Sequence, residues 1–474
     1  MTLTANQMTS DRFLRQQHAF PEARRQTSMV AIALGDVAPD VTRFLMAGAA
    51  SMGVPRVASD FHGWPDANAH WLMGEHSALV RHINEETEYV YLDPEAYAED
   101  LKFSAEGWQN AWLAVICNDV VRAREVVGRL AGAGLRLLLV WVGPSGIVVD
   151  RHGDPASASA RLAEVGPGGK MPPATMELSI LAAGVSLNEV MFAGQTQADD
   201  LKRPRTVAYY SLHRPRRCDM PPDASVADLV ADVARPVESR AVFTGRRLEL
   251  LGAGALANWT APPIACDGGV RCHVTDGDLT IEEHNLNRQI LLTHHVGRAK
   301  APVLADELAR LDPAGEYTHT ARFAKAPADL PLESVDLLIA APDNNEARLL
   351  AGECAREAGV LFGQGGSGGT GGQLSVHAPG RACYPCLAGA SSGAAPAAGA
   401  NGGGNSCWRV NADSVVSSNM VVAALLVSEL RVALAGGRTQ NLRFEGNSDQ
   451  GNRLARMLND APCPHKAAVS GMAR

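Results

Sequence analysis

Short, wholly apolar runs alternate along this chain with stretches in which apolar residues recur every three to four positions. That pattern predicts buried strands followed by helices. Met29 to Asp60 reads MVAIALGDVAPDVTRFLMAGAASMGVPRVASD. An apolar run ends at Gly35, a helical pattern leads to Gly53, and a second apolar run ends in an acid. Leu248 to Asp278 repeats the order as LELLGAGALANWTAPPIACDGGVRCHVTDGD. Strand, glycine turn, helix and acid-tipped strand make a βαβ nucleotide-binding unit.

The parallel continues through WLAVICNDVVRAR and VDLLIAAPDNNEAR, each a buried run, a turn with an acid and a helix. Apolar runs follow at 134–143 and 358–366, and each copy ends in a long apolar helix, at 174–192 and 414–434. The doubling predicts two Rossmann-like, doubly wound α/β domains with mainly parallel sheets, paired as a pseudo-dimer within one chain. The expected division is an arm over 1–24, a first domain over 25–215, a linker over 216–240 and a second domain over 241–474. The low-complexity, glycine-rich stretch 389–405 reads as a mobile loop.

Composition narrows the class. The chain has 474 residues, 46% hydrophobic and 20% charged, enough for two or three globular cores. A net charge of −8 gives no electrostatic reason to expect nucleic acid or anionic membrane as partner. No apolar run is expected to reach the length of a membrane span, and MTLTANQMTSDRFLRQQ has no apolar signal region, so a cytoplasmic location is expected. Nine mostly scattered cysteines fit reduced thiols. Cys383 and Cys386 form a CxxC pair, which suits zinc or a free or redox dithiol.

The chemistry concentrates in the second copy. Gly252-Ala253-Gly254-Ala255-Leu256-Ala257 is a GxGxxA turn, which lets backbone amides at a helix start approach phosphate. Asp278 ends the second strand, where a carboxylate can bind ribose. Asn285, Arg288, Lys300, Asp343, Asn344 and Arg348 follow. Such a cluster suits triphosphate chemistry, whereas hydride transfer needs no such set. Arg348 fits a structural ion pair equally well. The strand-like run Gly363 to Gly369 has room for a slim peptide tail beside its backbone, or is a flexible loop.

IEEHNLNRQILL resembles the E-x-S-N-L-N-R-Q signature of the ThiF, molybdopterin-synthase adenylyltransferase and ubiquitin-activating family. VGRAKAPVLADELARLDP resembles that family's G-x-x-K helix, and APDNNEAR its D-N-x-x-x-R. CYPCL, a later lone cysteine and the terminal CPH resemble its zinc and crossover-loop region, which implies a crossover loop over 387–410. The resemblance covers about 245–466 well and the first copy faintly. It implies ATP, Mg²⁺ and Zn²⁺ as cofactors. Gly252 and Gly254 would face the nucleotide and Asp278 the ribose. Asn285, Arg288 and Lys300 would face the phosphates, Asp343 would hold Mg²⁺, and Asn344 would line the pocket. RFLRQ resembles the family's R-Y-x-R-Q, so Arg15 would cross the pseudo-two-fold to the nucleotide. Zinc would be held by Cys383, Cys386, Cys463 and His465, the last because Lys466 stands where the family has its final cysteine. Cys407 would accept the activated tail as a thioester, and Cys266, Cys272 and Cys354 are expected to be buried.

The first copy lacks N-L-N-R-Q and G-x-x-K and has Asn118-Asp119 in place of Asp-Asn, so it is expected to be an inactive repeat. The activity implied is that of a bacterial ubiquitin-activating-like enzyme. It would adenylate the glycine-ending tail of a ubiquitin-like protein, with a conjugating enzyme as a further partner. Sulfur-carrier activation, adenylation of a short peptide or modified nucleoside, and a non-catalytic ATP-binding scaffold are the rival readings. A higher oligomer is left open.

Overall fold

The computed structural model describes residues 12, 29–34, 39–63, 70–93, 111–130, 135–166, 170–191, 207–237, 241–386, 414–448 and 451–457. The first repeat runs β1 (Met29–Leu34), α1 (Pro39–Met52), β2 (Arg56–Ser59), α2 (His76–Ile83), β3 (Glu88–Tyr91), β4 (Trp112–Cys117) and α3 (Val120–Arg129). It continues through β5 (Arg136–Gly143), β6 (Gly146–His152), α4 (Pro155–Val165), α5 (Met176–Met191) and β7 (Val207–Ser211). After α6 (Val226–Val233) the second repeat runs β8 (Arg247–Leu251), α7 (Ala255–Ala265), β9 (Arg271–Thr275), α8 (Lys300–Leu311), β10 (Glu316–Thr320) and β11 (Leu337–Ala340). It ends with α9 (Asn345–Ala358), β12 (Leu361–Gly368), β13 (Gly371–His377), α10 (Val416–Leu434), β14 (Asn441–Ser448) and β15 (Gly451–Met457).

The two sheets share one topology. The first is ordered β3-β2-β1-β4-β5-β6-β7, the second β10-β9-β8-β11-β12-β13-β14-β15. In each, five strands are parallel, and the chain turns antiparallel at the β5–β6 and β12–β13 hairpins. Duplication is therefore written in strand order as well as in sequence, and both sheets place their switch point beside the first strand, β1 or β8.

The repeats meet through their most apolar elements. α5 and α10, buried on nearly every face, pack against each other at the centre of the molecule. Gly184 makes the close approach possible, because a Cβ there would lie 2.9 Å from Met420 Cβ and 3.1 Å from the Ser417 carbonyl oxygen. Phe44 of α1 meets Trp259 of α7 edge-on, 6.4 Å between centroids. Charge follows burial: Arg431 pairs with Glu177 at 2.7 Å and with Asp267 at 2.8 Å, and Arg217 pairs with Glu429 at 2.8 Å.

One expectation changes. α10 does reach the length and mean hydropathy of a membrane span, 19 residues at 1.4, but 83% of that window is buried against protein. The linker expected over 216–240, with one short helix in it, carries α6, which packs Val226, Leu229, Val230 and Val233 into the first repeat's core. A Ser225 capping box starts this helix, and Tyr209 donates to Asp232 within it at 2.5 Å.

Candidate nucleotide site

The site is built where β8, β9 and β11 end. Gly252 leaves β8 at φ 97°, and a Cβ there would sit 2.9 Å from the carbonyl carbon and oxygen of Ala341, just past β11. Only glycine fits that crossing. Gly254 then caps α7 with no side-chain hydrogen bond, and a Cβ on it would meet nothing within 4 Å. The first-turn amides of α7 thus open onto empty space, as an anion site requires. Ala257 is fully buried and lets the helix settle on the sheet.

Asp276 fixes this turn. Its carboxylate accepts from the Ala253 amide at 2.6 Å and from the Asp278 amide at 2.7 Å. Burial pushes the Asp276 carboxyl up, against the Ala253 amide and the charge of Lys300. Asp278, two residues on, remains 40% exposed and pairs with Lys300 Nζ, whose side chain is 9% exposed. Lys300 opens α8, and its backbone amide also donates to the Asp278 carbonyl at 3.1 Å.

The N-L-N-R-Q segment forms the facing wall. Asn285 Oδ1 accepts from the Glu282 amide at 3.0 Å, which closes the 3₁₀ turn Glu283–Asn285 and leaves the amide nitrogen as its donor end. Arg288, 3% exposed, donates to the His284 carbonyl at 2.6 Å and to Asn287 Oδ1 at 2.8 Å. Asn258 ties the walls together: it donates to the Ala253 and Gly254 carbonyls and accepts from the Leu291 amide at 2.9 Å. Asp343 is exposed at the tip of β11, and Asn344 caps α9 by accepting from the Ala347 amide at 2.8 Å. Arg348 donates to the Pro342 carbonyl at 2.8 and 3.1 Å, so it braces the Asp343 turn.

These groups converge on a cavity of about 830 Å³. Gly252, Gly254, Asp278, Asn285, Arg288, Lys300, Asp343 and Asn344 all line it. So do Arg322, Phe323 and Lys325, which sequence reasoning missed. Phe323 is 56% exposed, and its ring lies so close to Gly277 that a Cβ there would be 2.3 Å away. Their position just past β10, at the carboxyl end of a parallel strand, was the available signal. Gly365, Gly366 and Ser367 of β12 and Asn419 of α10 complete the lining. The glycine run is a strand of the sheet, paired with β13, rather than a loop.

Residues 238–464 match the ThiF family. That segment is the second repeat. It is 30% identical over 182 residues to the adenylyltransferase and sulfurtransferase MOCS3-1 of Zea mays, an alignment covering 35% of this chain and 38% of that protein. It is 32% identical over 145 residues to the SUMO-activating enzyme subunit uba-2 of Caenorhabditis elegans, covering 30% of this chain and 25% of that one. The matched region thus spans well under half the length of both relatives. Among solved structures, Escherichia coli MccB with ATP matches at 19% identity and a TM-score of 0.38, over 48% of this chain and 67% of that one.

The first repeat repeats one bond of this turn and differs in the residues around it. Asp60 accepts from the Ala33 amide at 2.9 Å, as Asp276 does from Ala253. Two residues later His62 stands where the ThiF-family domain has Asp278, and it stacks on Tyr91 at 3.6 Å. Asn118 binds the Val142 backbone, and Asp119 caps α3.

Of the cysteines, Cys383 and Cys386 lie with their sulfurs 3.3 Å apart. Cys463 and His465 lie outside the described residues, as do Arg15 and Cys407. Among the described residues no group of three or more His, Cys, Asp or Glu is placed to hold a metal. Two sulfurs this close suit either half of a zinc site or a dithiol. Cys272 and Cys354 are buried as expected, but Cys266 is exposed, because α7 ends just before it, soon after Pro262 and Pro263.

Proposed function

We propose that this protein adenylates a carboxylate with ATP, at the second repeat's cavity. The observation that carries the reading is the convergence of Arg288, Lys300, Asp278 and the open start of α7 on one cavity inside the ThiF-matched segment. The α7 amides, Lys300 and Arg288 offset phosphate charge, arginine over a spread surface and lysine at a point. Asp278 takes the ribose hydroxyls, and Phe323 offers a flat face to the base. The carboxylate oxygen of the substrate attacks the α-phosphorus, the bond to the β-phosphate oxygen breaks, and pyrophosphate leaves as the acyl-adenylate forms. Asp343 suits Mg²⁺, which takes one or two carboxylates together with substrate phosphates and supplies charge neutralisation there when bound.

The substrate we propose is the glycine-ending tail of a ubiquitin-like protein, which the small residues of β12 would admit beside the backbone. The relatives that act as activating enzymes and sulfurtransferases support a protein substrate by analogy. Transfer to Cys407, zinc at Cys383, Cys386, Cys463 and His465, and an inter-repeat arginine at Arg15 belong to the same proposal. Pyrophosphate exchange into Mg·ATP, run with ubiquitin-like and sulfur-carrier proteins in turn, tests it. Exchange that depends on one of these supports the reading. Tight Mg·ATP binding with no exchange under any of them would favour a scaffold.

A further inference from the structure

We infer that Glu307 is a positioning residue through which the first repeat sets the phosphate lysine, Lys300, of the second. The inference rests on the nucleotide reading of the cavity and concerns a cluster outside it.

Glu307 lies on α8, with its side chain only 2% exposed. Its carboxylate is surrounded by donors from three separate segments. From the first repeat, His70 Nε2 lies 2.9 Å from Oε2 and Trp71 Nε1 donates to the same oxygen at 3.0 Å. From the segment following N-L-N-R-Q, His295 Nε2 lies 3.2 Å from Oε1. Arg310, on α8 itself, also donates to Oε1. Behind this set the Trp71 ring stacks on His82 at 4.0 Å, and His82 meets His294 edge-on at 4.4 Å. Burial alone would push the Glu307 carboxyl up, but the His70 and Trp71 hydrogen bonds and the Arg310 charge bring it down to about 2.

Apolar packing already holds α8 against the core, with Ala301, Val303, Leu304 and Leu308 buried. Such packing is non-directional and fixes the depth of a helix better than its rotation. Directional bonds to a buried carboxylate fix the rotation. Lys300 and Glu307 are seven positions apart, which is nearly two full turns, so they project from the same face about 10 Å apart along the axis. A rotation of α8 by about 10° would carry a side-chain tip 5–6 Å from the axis through roughly 1 Å. A displacement of that size at a phosphate contact is enough to matter, since a 1 Å misplacement can cost about a hundredfold in rate. The His70–Trp71 turn is thus a hook from the inactive repeat onto the lever that carries Lys300, and His295 ties the N-L-N-R-Q wall to the same point.

The test is the affinity of the full chain for Mg·ATP by titration calorimetry, in a cycle of Glu307→Gln with Lys300→Met. Glutamine keeps the shape and one accepting oxygen but turns an NH₂ toward two of the donors. Glu307→Gln is expected to weaken Mg·ATP about tenfold, in the range of lost supporting contacts, and by less than about twofold when Lys300 is already Met. Trp71→Phe keeps the ring on His82 and removes one donor. It is expected to shift affinity the same way by about threefold, and it guards against a Glu307 variant that fails to fold. Unchanged affinity in Glu307→Gln, or an equal loss in the Lys300→Met background, would overturn the positioning role. Wild-type protein that does not bind Mg·ATP would instead overturn the nucleotide reading, and this inference with it.

Discussion

Gly252 and Gly254 sit two residues apart in one turn, yet alanine at each should have opposite consequences. At Gly252 the backbone is at φ 97°, where an L-residue costs about 1–2 kcal/mol. The new Cβ would also press on the Ala341 carbonyl, 2.9 Å away, where backbone must shift, adding about 1–3 kcal/mol. Gly252→Ala should therefore lose about 2–5 kcal/mol of stability in urea denaturation followed by far-ultraviolet circular dichroism. At Gly254 the backbone is extended, φ −78° and ψ −159°, and nothing lies within 4 Å of the added carbon. Its stability cost is the poorer cap, under about 1 kcal/mol. The methyl group would, however, fill the space through which a phosphate reaches the α7 amides. Losing one charge-assisted hydrogen bond is worth about 1.5–3 kcal/mol, so Mg·ATP should bind roughly ten- to a hundredfold more weakly. A Gly254→Ala protein that binds Mg·ATP like wild type would refute the phosphate-turn reasoning. A Gly252→Ala protein of unchanged stability would refute the close crossing at Ala341.

Asp343→Ala should abolish Mg²⁺-dependent pyrophosphate exchange while leaving the urea midpoint nearly unchanged, because its side chain is exposed at the end of β11. Phe323→Ala should weaken ATP more than inorganic pyrophosphate, which a competition titration separates; equal losses would remove Phe323 from the base site. Glu249, buried in β8 and bonded by Thr275 at 2.7 Å, is pushed up to about 7 by burial, and Asp60 is likewise raised to about 7. A raised carboxyl stabilises the fold fully below its unfolded value and loses that contribution as pH rises through about 7. Stability should therefore fall from about pH 4 to about pH 7, by up to about 3 kcal/mol from Glu249, and Glu249→Gln should flatten that slope. Metal analysis of protein purified without added zinc should give one zinc per chain; a value near zero in folded, active protein would reject the Cys383 and Cys386 site.

Much of this protein was legible in the chain because strand and helix periods are local properties. The two βαβ units, the paired buried runs at β4 and β11 and the two apolar helices α5 and α10 all follow from side-chain spacing. The motif residues around Asp278, Arg288, Lys300 and Asp343 were legible because the short motifs that resemble the family's are also local in the sequence. What the chain concealed depends on contacts between distant segments. Asp276 holds the turn at Ala253, Phe323 covers Gly277, and Asn258 joins the glycine turn to Leu291, none of which a spacing rule foretells. Apolar length alone could not separate α10 from a membrane span, because burial comes from α5 and the sheet packed around it. Nor could sequence show that Glu307 gathers His70 and Trp71, because they lie 237 and 236 positions away and meet it only once the two repeats have docked.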